Sequence, residues 1–116
     1  MIESNIIGFQ TSAKGNSFTI ATNPATNEPL PGKFPGANTD EINFTVDQAS
    51  KAFDIYSKIS GKEKAEFLNA IADEIAALGD KLISRCCAES GLPKVRIQGE
   101  RSRTIAQLQM FANLIE

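Results

Sequence analysis

The chain has 116 residues and a formal net charge of −2, from 12 basic and 14 acidic side chains. It contains no histidine, which removes from these residues any Ser-His-Asp or Cys-His catalytic pair and any zinc site with histidine ligands. With no Trp and one Tyr, Tyr56, and with charge nearly balanced, it offers neither a stacking platform nor a positive field for nucleic acid or an anionic membrane. No apolar run approaches the roughly 18 residues a membrane span needs. The first residues lack the charged start and apolar stretch of a signal peptide, so the expected location is cytoplasmic. Cys86 and Cys87 are adjacent and cannot staple distant parts of the chain, so no disulfide framework is expected.

Residues 1–38 read as strands and turns, and 39–116 as helices. Ile6 to Thr11 is a β-prone run, Lys14-Gly15-Asn16 is a turn signal, and Ser17 to Thr22 alternates polar and apolar residues. Together they predict a β-hairpin. Asn23-Pro24-Ala25-Thr26-Asn27-Glu28 follows as a tight turn in which Pro24 fixes φ and Asn27 takes the left-handed conformation. Pro29, Pro31 and Pro35 with Gly32 and Gly36 keep the next stretch extended. A two-stranded hairpin is not stable by itself and must lie against other protein.

Three helices are expected beyond it. Thr39 is the predicted N-cap of the first, with Asp40 and Glu41 in its favourable first turn. Its apolar face is Ile42, Val46, Ala49, Phe53 and Tyr56. Ser60 to Glu63 has capping-box spacing and opens the second helix. Leu68, Ile71, Ala72, Ile75, Leu78, Leu82, Ile83 and Cys86 form one stripe of about five turns. Gly91 and Pro93 end that helix. The third begins after Pro93 and carries Ile105, Leu108, Ala112 and Ile115 on one face. It reaches Glu116 with the apolar pattern still running, which points to a truncated chain, incomplete at its C-terminus.

The candidate chemistry is sparse. Cys86-Cys87 would need a lowered pKa to act as a reactive thiolate, yet it lies near the C-terminal end of a predicted helix, where the dipole disfavours the anion. Cys86 also continues the apolar stripe, so both read as small buried hydrophobes. The glycines match no phosphate-cradling pattern. Lys94, Arg96, Arg101 and Arg103, with Glu100 among them, read either as an anion contact or as a solvated face with local ion pairs. The pairs Asp40-Glu41 and Asp73-Glu74 read as solvated carboxylates on polar faces. Composition and spacing alone therefore stop at an incomplete α+β segment.

Ordered similarity takes the reading further. The turn Asn23-Pro24-Ala25-Thr26-Asn27-Glu28 resembles the Asn-Pro-Ala-Thr-Gly-Glu turn near the start of aldehyde dehydrogenases, with Asn27 in place of the usual Gly. Val46 to Phe53 is similar to the family's first helix, Phe67 to Ile75 to its second, and Glu89-Ser90-Gly91-Leu92-Pro93 to its Glu-Thr-Gly-Lys-Pro turn. Ile6-Ile7-Gly8, Thr11 to Gly15, Ala76 to Asp80, Gly99 to Thr104, Gln107-Leu108 and Phe111-Ala112 resemble one branch, the NADP-dependent α-ketoglutarate semialdehyde dehydrogenases. The likeness runs in order along essentially the whole chain.

The resemblance implies an N-terminal part, 1–116, of an aldehyde dehydrogenase cofactor-binding domain, built as a β-hairpin and extended segment followed by three α-helices. The intact enzyme would oxidise an aldehyde to a carboxylic acid through a cysteine thioester, with hydride passing to NADP or NAD. The family's nucleophile, base and cofactor contacts match no residue here, so this chain by itself is expected to bind no cofactor and to be inactive. Its partners would be the remainder of the same polypeptide, the aldehyde substrate and further copies in a homo-oligomer. Arg103, and less so Arg101, is the candidate substrate-channel residue, since an arginine at the rim would attract an anionic semialdehyde. Two rival readings stay open. One is a free-standing helical interaction module, and the other is a small redox protein using Cys86-Cys87.

Overall fold

The computed structural model describes residues 3–116 as six short strands followed by four helices, a mixed α+β chain. The strands are β1 (Asn5–Ile7), β2 (Gln10–Ser12), β3 (Phe18–Thr19), β4 (Thr22–Asn23), β5 (Glu28–Pro29) and β6 (Phe34–Pro35). The helices are α1 (Thr39–Tyr56), α2 (Gly61–Ala77), α3 (Gly79–Ser90) and α4 (Lys94–Ile115). They divide into two compact units. The first takes in residues up to Thr22 and Glu28–Lys58, and the second comprises Asn23–Asn27 and Ile59–Glu116.

In the first unit the expected hairpin is replaced by different pairings. The run from Ile6 to Thr11 folds back on itself, with Ile6 opposite Thr11 and Ile7 opposite Gln10. Gly8, at φ +60°, makes this two-residue turn possible, because a side chain is disfavoured in that left-handed conformation. β3 then pairs antiparallel with the distant β6, Phe18 opposite Pro35 and Thr19 opposite Phe34. The backbone of Gly36 extends this pairing by donating to the Ser17 carbonyl at 2.9 Å. Gly15 is needed for close approach and not for a turn, since a Cβ there would sit 1.7 Å from the Gly36 carbonyl oxygen. Leu30 N–H donates to the Ala21 carbonyl at 2.7 Å.

The cap of helix α1 lies one residue earlier than predicted. Asn38 is the N-cap, and its side chain accepts from the Glu41 N–H at 2.9 Å. The Glu41 carboxylate accepts in return from the Asn38 N–H at 3.0 Å. Thr39 is therefore the first helical residue. Glu41 is also the only buried residue of α1. The stripe from Ile42 to Tyr56 lies on one helical face, yet Val46 and Phe53 remain 62% and 67% exposed.

In the second unit, Asn27 adopts φ +59°, as its place in the turn requires. The Asn23 side chain accepts from the Ala25 N–H, and the Asn23 carbonyl accepts from the Asn27 N–H. The capping box at the start of α2 forms as expected: Glu63 N–H donates to Ser60 Oγ, and the Ser60 N–H donates to the Glu63 carboxylate at 2.8 Å.

The single long helix expected from Leu68 to Cys86 is two helices, so the described residues form four and not three. Gly79, at φ +55°, breaks the run. The apolar stripe continues across the break, which is why periodicity alone does not register it. Gly91 closes α3 at φ +70°, and its N–H donates to the Cys87 carbonyl at 2.9 Å.

Helix α4 packs mainly along α2 and more lightly on α3. A Cβ on Gly61 would lie 2.0 Å from the Ile115 carbonyl oxygen, so the start of α2 meets the end of α4 and the two run antiparallel. Small residues permit this approach: Ala65, Ala72 and Ala112 are buried, and Ile83 is the large side chain buried completely. No helix among the described residues is long and apolar enough to cross a membrane.

Candidate functional site

Two places gather polar or reactive side chains. The first, within unit 1, is centred on Glu41. The loop after β2 brings Lys14 to the helix start, and its N–H donates to one Glu41 carboxylate oxygen at 3.1 Å while Asn38 N–H donates to the other. The Asn38 side-chain amide reaches back to the Lys14 carbonyl at 3.4 Å. A bond from the Ser12 hydroxyl is the largest influence holding the Glu41 carboxyl below its ordinary value. The Asn38 and Lys14 backbone bonds add to it, and burial opposes them. A cleft of about 280 Å³ beside it is lined by Gln10, Ser12, Lys14, Asp40, Glu41 and Phe44.

This overturns the reading of Asp40-Glu41 as a solvated pair. Asp40 is exposed, but Glu41 is 4% exposed and acts as a structural acceptor between β2, the following loop and α1. The signal was in the sequence. Asn38-Thr39-Asp40-Glu41 has the spacing of a capping box, which choosing Thr39 as the cap conceals. Asp73 and Glu74 lie on α2 and are exposed, as expected.

The second place lies within unit 2, where Leu78, Leu82, Cys86, Ile97, Arg101 and Thr104 line an apolar groove of about 400 Å³. Arg101, half-buried, donates from Nη1 to the Gly79 carbonyl at 3.3 Å. It thereby ties α4 to the break between α2 and α3. Lys94 Nζ sits 3.3 Å from an Asp80 carboxylate oxygen, and Arg96 pairs with Glu100 one turn on at 2.7 Å. Three members of the basic group thus have local partners. Arg103 is exposed on α4 with no ion-pair partner among the described residues.

Cys86 and Cys87 are free thiols, each half-buried, in the second half of α3. No helix N-terminus faces them in their own element, and Arg85 pairs with Glu89. Cys86 lines the same groove as Arg101.

The family profile described as "Aldehyde dehydrogenase family" matches residues 9–116. The chain belongs to that family. It is 41% identical over 111 residues to "Alpha-ketoglutaric semialdehyde dehydrogenase 2" of Azospirillum brasilense, covering 95% of this chain and 21% of that protein. It is 39% identical over 101 residues to "Alpha-ketoglutaric semialdehyde dehydrogenase" of Acinetobacter baylyi, covering 86% of this chain and 19% of that protein. A more distant relative, "D-glyceraldehyde dehydrogenase (NADP(+))" of Picrophilus torridus, is 29% identical over 89 residues, 77% of this chain and 18% of that protein. The chain therefore spans about a fifth of the length of the curated relatives it matches.

Proposed function

We propose that these 116 residues are the N-terminal part of the cofactor-binding domain of an NAD(P)-dependent aldehyde dehydrogenase acting on an anionic semialdehyde, α-ketoglutarate semialdehyde first among them. The observation that carries this reading is the 41% identity, sustained over 95% of the chain, to a protein named for that substrate. The reaction takes the aldehyde to a carboxylic acid through a cysteine thioester. Cys86 and Cys87 lie in the second half of α3, away from the helix N-terminus that would favour a nucleophilic thiolate, and the nucleophile is assigned to protein outside this segment.

The nicotinamide dinucleotide is assigned outside it too. Helix N-termini attract phosphate through unpaired N–H groups and the helix dipole. The capping boxes of α1 and α2 place the carboxylates of Glu41 and Glu63 at those two helix starts, where a phosphate would meet negative charge. Neither of those two helix starts suits a dinucleotide phosphate, and no contact with the cofactor is assigned to these residues. The 116 residues alone are accordingly expected to show no dehydrogenase activity.

Arg103 supplies the proposed selectivity at the rim of the substrate channel. Its guanidinium is exposed and suits a carboxylate. Arg101 is the lesser candidate, because its guanidinium already holds the Gly79 carbonyl. The test is steady-state kinetics of the intact protein with α-ketoglutarate semialdehyde and with a neutral aldehyde of similar length, using NADP and NAD in turn. The expected result is a higher kcat/KM for the semialdehyde, and a preference for the neutral aldehyde would overturn the substrate assignment. Arg103→Ala is expected to lower that preference several-fold, the scale of an exposed charge contact. An unchanged ratio would remove Arg103 from the channel.

A further inference from the structure

We draw no further inference here: the strongest candidate, the apolar groove of the second unit that Leu82, Cys86, Ile97 and Arg101 line, rests on an unpartnered apolar surface and a cysteine, and nothing in the structure shows what fills or covers it.

Discussion

Glu41 joins three parts of the first unit through one carboxylate, accepting from Lys14, Asn38 and Ser12. These bonds favour the ionised form, so the group's folded value lies below its ordinary one. The stabilisation is fully present above the ordinary carboxylate value and is lost as pH falls through the lowered folded value. Thermal melts between roughly pH 7 and roughly pH 3 should therefore show the first unit weakening at the acid end. Glu41→Gln should melt lower at neutral pH and depend less on acid, and an unchanged pH profile would show that Glu41 does not hold this junction. Arg101 has an analogous duty in the second unit. Arg101→Ala should cost about 1 kcal/mol in chemical denaturation through loss of the bond to the Gly79 carbonyl. Arg103→Ala should leave stability unchanged. Both arginines belonged to the basic group read from residue type, and the family resemblance singled them out of it. What separates them is a backbone oxygen 22 residues away in sequence, which spacing along α4 does not reveal.

At the scale of elements, the break between α2 and α3 depends on a glycine in open space. A Cβ on Gly79 would meet nothing within 4 Å, so the cost of Gly79→Ala is the left-handed backbone alone, about 1–2 kcal/mol. Circular dichroism melts would measure it, and a neutral result would mean the helices can run on through the break. The α2–α4 crossing fails differently. Ala72 has no exposed surface, so Ala72→Leu must force the helices apart and should cost about 1–3 kcal/mol by overpacking. A fully tolerated leucine would show that the helices do not meet there. The helical segments, the cap of α2 and the end of α3 were readable because propensity, capping chemistry and 3.6-residue periodicity are local. Strand partners were not. Phe18 pairs with Pro35 across 16 intervening residues, and the turn signal at Lys14-Gly15-Asn16 pointed to a nearer partner that the chain does not use.

At the scale of the whole molecule, the buried apolar side chains among the described residues are few: Ile7, Ala65, Ala72, Ile83 and Ala112. Ile55 of the first unit and Val95 and Leu114 of the second are each more than 70% exposed. Apolar surface of this kind, on a chain spanning a fifth of its relatives, drives association when nothing else covers it. The 116-residue chain in isolation should therefore sediment as oligomers or aggregates, and a clean monomer across concentrations would contradict that expectation. By itself the sequence determined the α+β order, the turn at Asn23 to Glu28, the start of α2, the end of α3 and the aldehyde dehydrogenase family, because each depends on residues close together or on their order along the chain. Only the tertiary structure decided that Gly79 splits a continuous stripe, that Glu41 is buried, and that the apolar face of α1 stays uncovered. A stripe records that a face is apolar, whereas burial depends on which distant atoms arrive at it.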